Sequence, residues 1–470
     1  MSVELNKTKF LTYPERVRHL LEDTGDIAFA GGERVTPSQI WQFMTEEAPM
    51  RFPYAFDTRT YNTVRISEDV DFVSALKYNY IELTWRDRLV AAQRKGIPLI
   101  LNEGGGQTRD PYYAAGAIPL RPGVISAWVR ETENGLDLHQ IDFKNTAIME
   151  KGRRSITIEA CNQIGAHAAI DEGIVDVDIL APFLCLRCSD VAYLVEKHRS
   201  SQRRLSLQLV DYPVNNQADK EWAVDYLSKN LRRLVAGISG ISGARVTDDA
   251  VREEIRLHNR MRRLALDIHE LWWSADVPPT NSIDFNHIRI FGNDPCGVDP
   301  VFAVGILEET EQEIQNRIGN SIKGAGLADD PVRLFACGSC VSPNPTAVER
   351  AGGVVVGKDD WLSGLYTEVE EEGDPYANLA KANLSMPYEQ PTEARARWTV
   401  EQVKKSNADG LVFMHQWGCN FQSAVSRMVA DIVKESTGIP TIIIEVDELD
   451  KAEALEQSQN RVESFIEMIC

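Results

Sequence analysis

The chain has no uninterrupted apolar run approaching eighteen residues, so no membrane-spanning helix is expected. Its start, MSVELNKTKFLTYPERVRHLLED, lacks the apolar stretch of a secretory peptide and carries acids that transit peptides avoid, which makes the cytoplasm the expected compartment. Positive charge is also short. Fifty Lys plus Arg against seventy Asp plus Glu leave a formal charge of -20, which opposes non-specific attraction to nucleic acid or anionic lipid. Neither is expected as a partner, and any anionic ligand must be held by a local pocket. Three catalytic signatures are missing too: a G-x-x-x-x-G-K-[ST] loop for ATP hydrolysis, an H-E-x-x-H pair, and a pattern supporting a Ser-His-Asp triad. Nor does any short loop carry the dense cysteine run of a ferredoxin.

What is present is a globular composition, with 43% hydrophobic and 26% charged residues, which excludes wholesale disorder and fibrous architectures. At 470 residues, two or three domains are expected. Residues 1–78 are mixed and aromatic, without clear periodicity, and are set apart as an N-terminal extension. From there helical and strand-like runs alternate: WRDRLVAAQRKG into IPLILN, YYAAGAIPL, VDILAPFLC, the helical SDVAYLVEKHRSSQRR, then LSLQLVDYP. This pattern predicts an α/β domain with a parallel sheet over 79–225. Residues 226–328 read as mainly helical, because apolar positions recur at intervals of three and four between charges. A second alternating block, opened by VRLFACG and closed by IPTIIIEVD, predicts another α/β domain over 329–470. The acidic run from Glu368 to Asp374 reads as a solvated loop.

In a reducing compartment the eight cysteines are better candidates for metal ligands, reactive thiols or small core residues than for disulfides. Parallel sheets bind ligands at the carboxyl ends of their strands, so position sorts them. Cys185 and Cys188 follow the run VDILAPFL and precede a helix. Cys419 follows LVFMHQWG and precedes the helix running to Gly438, Cys337 and Cys340 follow VRLFA, and Cys161 precedes NQIGAHAAIDEG. A helix amino-terminus favours thiolate, the form that binds metal. These spacings are wide, so a cluster would have to be assembled by two domains closing on it. Three thiolates with one open iron would suit chemistry, and four would suit electron transfer. Two C-x-x-C pairs, Cys185 with Cys188 and Cys337 with Cys340, offer the rival of one bridging zinc site. Cys296 and Cys470 read as small hydrophobes. The turn Glu103-Gly104-Gly105-Gly106 allows close backbone approach by an anion, or is simply a turn; Gly104 and Gly105 are its candidate substrate contacts.

The stretch NADGLVFMHQWGCNFQSAVSRMVADIVKESTGIPTIIIEVD, residues 407–447, resembles the closing signature of the 2-hydroxyacyl-CoA dehydratase and benzoyl-CoA reductase family. FLCLRCSDVAYLVEKHRSSQRRLSLQLVDYP is similar to its second cysteine segment, EACNQIGAHAAIDEG to its first, and QRKGIPLILNEGGGQTRDPYYAAGAIPL to its opening. The family's Pro-Glu pair before the Ala-Ala-Gly segment is replaced by Asp110-Pro111-Tyr112-Tyr113. The resemblance implies two Rossmann-like, flavodoxin-like domains with a helical insert and a 4Fe-4S cluster at the domain interface. It implies Cys161, Cys188 and Cys419 as the cluster ligands, with Cys185 the rival for the second place. It further implies a D-component-like subunit that works beside a related second subunit, as a heterodimer, on an acyl-CoA, with electrons from a separate ATP-dependent iron-sulfur activator. The implied reaction is radical dehydration of a 2-hydroxyacyl-CoA to the enoyl-CoA. Because the hydrogen lost sits on an unactivated carbon, ordinary acid-base catalysis fails, and one-electron reduction of the thioester to a ketyl makes both departures easier. Reduction of an aromatic acyl-CoA, or a non-catalytic electron-relay or structural subunit, are the alternatives.

Overall fold

The computed structural model describes residues 11–56, 66–103, 108–120, 152, 154–157, 160–168, 177–184, 188–201, 205–213, 217–338, 341–446 and 452–470. Between Leu11 and Phe56, short helices including α1 (Glu15–Glu22) and α2 (Pro37–Gln42) accompany an antiparallel ribbon of β1 (Ile27–Ala28) and β2 (Arg34–Val35). Elements this short carry no readable period, and their order comes from packing. Phe29, Phe43, Phe52 and Phe56 share one core with Met261, Ile268, Phe291 and Leu307, far along the chain.

The first sheet follows the predicted alternation. The helix α3 (Val73–Arg94) starts earlier than its sequence pattern suggested and, past Gly96, feeds β3 (Leu99–Glu103). Then come α4 (Asp110–Ala114), β4 (Ile118–Leu120), α5 (Asn162–Ala168), β5 (Ile179–Leu184), α6 (Val191–Ser200) and two short strands, β6 (Ser206–Leu207) and β7 (Val210–Asp211). The strands lie parallel in the order β4-β3-β5-β6, with β7 also beside β5. The stretch LSLQLVDYP, read as one strand, is thus broken into two.

Long helices come next: α7 (Glu221–Ser242), α8 (Asp248–Ser274), α9 (Ser282–Asn293) and α10 (Pro300–Gly319). Local chemistry fixes their starts. Thr247, Asn281 and Asp299 each accept a backbone N–H of the first turn, a cap of about 1 kcal/mol.

The second sheet comprises β8 (Val332–Cys337), β9 (Gly353–Asp359), β10 (Gly410–Gln416) and β11 (Thr441–Val446), parallel in the order β11-β10-β8-β9. Helices α11 (Pro345–Arg350), α12 (Pro375–Ser385), α13 (Thr392–Lys405), α14 (Asn420–Thr437) and α15 (Ala452–Ile469) connect or follow these strands. One face packs Phe335, Phe413, Val400 and Val429, and the other packs Leu334, Met414, Val348 and Phe465, so the strands are apolar on both sides. Numbered by chain position within each sheet, both sheets have the order 2-1-3-4. This is a Rossmann-like α/β architecture repeated, and each copy has a switch point between its first and third strands.

The acidic run Glu368–Asp374 is largely the solvated loop expected of it, with ties to two helices. Arg263 pairs with Glu368 and Glu371, Arg232 with Asp374 at 2.6 Å, and Asn259 donates to the carbonyl of Val369 at 2.7 Å. These partners lie on α7 and α8, too distant in sequence for the pattern to reveal them.

Candidate functional site

Equal strand order places equivalent crevices on the two sheets. On the first, β3 ends at Glu103 and β5 ends ahead of Cys188. On the second, β8 ends at Cys337, just before Gly338, and β10 ends ahead of Cys419. Each cysteine therefore sits after the third strand of its sheet and just before a helix.

Cys419 is the N-cap of α14. Its N–H donates to the Gln416 carbonyl at 3.0 Å, and its own carbonyl receives the N–H of Ser423 at 3.1 Å. The corner is turned by Gly418 at φ 79°. Across the crevice, Gly338 has φ 155°, and a Cβ there would fall 2.3 Å from the Met414 carbonyl oxygen, so the backbone leaving β8 presses directly on β10. Below them lies a buried polar network. Arg395 donates from Nε to Asp359 at 2.6 Å, from one terminal nitrogen to Gln422 at 3.3 Å and from the other to the Gly338 carbonyl at 3.3 Å. Gln422 in turn bonds the Tyr388 hydroxyl. Burial pushes the Asp359 carboxyl up, and the Arg395 charge pulls it back in part. The network ties the first turn of α14 to the ends of β8 and β9, and so sets the Cys419 corner.

Cys161 and Cys188 share a corner of the first domain. Cys161 is buried in the apolar cluster against which Cys188 packs. The Cys161 N–H donates to Asp190 Oδ2 at 2.8 Å, and the Cys188 carbonyl accepts from Val191 at 3.3 Å, so Asp190 links the start of α5 to the start of α6. Asp190 was not singled out from sequence, although an acid two residues past a cysteine at a helix start was a visible cue. Two further residues were missed. Lys358 is buried at the end of β9, donates to Ser342 Oγ at 3.2 Å and is pulled down to about 8, chiefly by burial. Gln416, the last residue of β10, is 1% exposed. The polar Lys358-Asp359-Asp360 directly after the apolar run GVVVG was the available signal for Lys358.

The remaining candidates separate clearly. Cys185, Cys340, Gly104 and Gly105 lie outside the described residues. Cys337 is the last residue of β8 and fully buried, and its thiol is held well above its ordinary value by burial and by Asp359. Cys470 is exposed rather than core, and Cys296 is half-buried at φ 55° with its thiol donating to the Asp294 carbonyl at 3.1 Å. Among the described residues, no three Cys, His, Asp or Glu side chains converge in a group that could hold a metal ion. Cys161 and Cys188 share a corner, while Cys419 stands on the other sheet. In donor chemistry the three fit a thiolate-held group: each is a thiol at the start of a helix, where the dipole favours negative charge.

A buried polar group also backs the segment Thr108–Asp110. Arg262 of α8 donates to Asp110 at 2.6 Å. Arg109 approaches Asp294 at 3.5 Å without hydrogen-bond alignment, and Asn383 of α12 bonds the Thr108 N–H at 3.2 Å. Helices α8 and α12 thus both brace the segment Thr108–Asp110.

Residues 112–469 match the family model described as 2-hydroxyglutaryl-CoA dehydratase, D-component. The chain belongs to this family. One of the subunits of benzoyl-CoA reductase from Thauera aromatica is 27% identical over 239 residues, which cover 48% of this chain and 58% of that relative. The D-component match contains Cys161, Cys188 and Cys419 and both crevices' cysteine corners, and begins after Arg109 and Asp110. Among the described residues, no helix is long and apolar enough to cross a membrane.

Proposed function

We propose that this chain is the iron-sulfur subunit of a cytoplasmic enzyme that dehydrates a 2-hydroxyacyl-CoA to the enoyl-CoA. It would work beside a related second subunit and be charged by a separate ATP-dependent activator. One observation carries the reading: Cys188 and Cys419 occupy the same corner of two sheets with the same strand order, within a D-component family match. Cys161, Cys188 and Cys419 would hold the cluster at the interface of the domains spanning 79–225 and 329–470. When bound, a 4Fe-4S cluster supplies a low-potential electron and an iron site open to an oxygen ligand. The chain's own residues orient the donors. Asp190 fixes the Cys161 backbone, and the Asp359–Arg395–Gln422 network fixes the helix that Cys419 begins. The likeness to the benzoyl-CoA reductase polypeptide favours a second reading, reduction of an aromatic acyl-CoA on the same scaffold.

Anaerobic purification tests the proposal. A brown protein with about four irons and four sulfides per chain is expected, and Cys419→Ser should lose the colour. A colourless chain with stoichiometric zinc, or a full cluster in Cys419→Ser, contradicts it. With activator and reductant, conversion of 2-hydroxyacyl-CoA or of benzoyl-CoA separates the two readings.

A further inference from the structure

Gln416 closes β10 at the carboxyl edge of the second sheet, beside the switch point between β8 and β10. Its backbone belongs to the Cys419 corner, since its carbonyl accepts the Cys419 N–H. Alternation along β10 puts its side chain on the face of Val412 and Met414, against which Val341 and Val348 also pack. There the carboxamide is 1% exposed, and neither its oxygen nor its nitrogen has a hydrogen-bond partner. Gln422, one turn into α14 and equally buried, is the contrast: its oxygen accepts from Arg395 and its nitrogen meets Tyr388. That glutamine is spent on the fold. Gln416 keeps both an unmet donor and an unmet acceptor at the place where an open parallel sheet takes its ligand.

The complement of a primary amide is a ligand with an acceptor and a donor on adjacent atoms. A plain acyl or aromatic thioester offers only its carbonyl. A 2-hydroxyacyl thioester offers the carbonyl oxygen to the Gln416 N–H and its hydroxyl hydrogen to the Gln416 oxygen. We propose that Gln416 is a specificity residue whose carboxamide hydrogen-bonds the carbonyl and the 2-hydroxyl of a bound 2-hydroxyacyl thioester. This rests on the acyl-CoA reading above and selects its hydroxylated substrate class.

The test is binding by the purified full-length chain, prepared anaerobically, of 2-hydroxybutanoyl-CoA and of butanoyl-CoA, by calorimetry. The wild type should prefer the hydroxylated thioester by about tenfold or more, as a site built to pair a hydroxyl does. Gln416→Met should bring the two affinities together by weakening 2-hydroxybutanoyl-CoA, which loses both bonds, more than butanoyl-CoA, which loses one. Its thermal midpoint should be unchanged or higher, because an apolar isostere removes a desolvated amide. Gln416→Leu carries the same expectation and is measured if the methionine variant does not fold. Retention of the wild-type preference in a folded variant, or equal affinities in the wild type, overturns the assignment while leaving acyl-CoA binding intact. Failure of the wild type to bind either thioester overturns it together with the acyl-CoA reading.

Discussion

Lys358 shows how one buried side chain can set a pH dependence. Its amine ordinarily titrates at 10.5 and is drawn down to about 8, first by burial and then by Arg289. Between these values the unfolded chain binds more protons than the folded one, so stability rises with pH across that window. Below about pH 8 both states are protonated and the cost of burying the charge is felt in full, on the order of 3 kcal/mol. Lys358→Met is therefore expected to melt no lower than wild type at pH 7. The wild type should gain on the variant as pH is raised from 8 to 10.5, read by thermal midpoints in matched buffers. A constant difference over that range would show that the amine is not buried as described. The same scale explains which residues could be read in advance. Cys419 was legible because a strand, a glycine and a helix start are local features. Gln416 was not, because its lack of partners depends on the strand and loop packed over it.

At the scale of the element, glycines divide by what surrounds them. Gly305 lies inside α10 with nothing within 4 Å of an added Cβ, so Gly305→Ala should stabilise by about 0.5–1 kcal/mol through helix propensity alone. Gly338 follows β8 with positive φ and its Cβ direction blocked by the Met414 carbonyl. Gly338→Ala should cost about 1–3 kcal/mol and disturb the crevice. Thermal melting ranks the two against wild type, and a reversed order would contradict this backbone path. Most helices and strands were readable because their caps, periods and terminal glycines act within a few residues. The N-terminal elements were unreadable because helices as short as Pro37–Gln42 are stabilised by the core they join rather than by their own sequence.

For the whole molecule, contacts between distant segments are decisive. Arg262 of α8 and Asp110 of α4 are both buried and joined at 2.6 Å, 152 positions apart. Arg262→Met should destabilise by about 3–5 kcal/mol, because it leaves a buried carboxylate without its cation, whereas breaking an exposed pair would cost far less. Adding Asp110→Asn should recover part of the loss, and thermal melting of the two single variants and the double variant measures this. Simple additivity would mean that the two residues do not act as a pair. This ion pair joins α8 to the start of α4, and Asn383 of α12 holds the nearby Thr108 N–H. Surface pairs to Arg263 and Arg232 tie the acidic run Glu368–Asp374, a largely solvated loop as expected, to α7 and α8.

By itself the amino-acid order determined that the chain is α/β, where most strands and helices lie, and which cysteines stand at strand-to-helix corners. These follow from periodicity, capping and turn chemistry, which act over a few residues. Only the tertiary structure decided that the two sheets share one strand order, that Cys161 and Cys188 meet through Asp190, that Cys337 is sunk in the core, and that Gln416 is buried without a partner. Each of these depends on surfaces brought together from distant parts of the chain, and burial and pairing exist only once those surfaces have met.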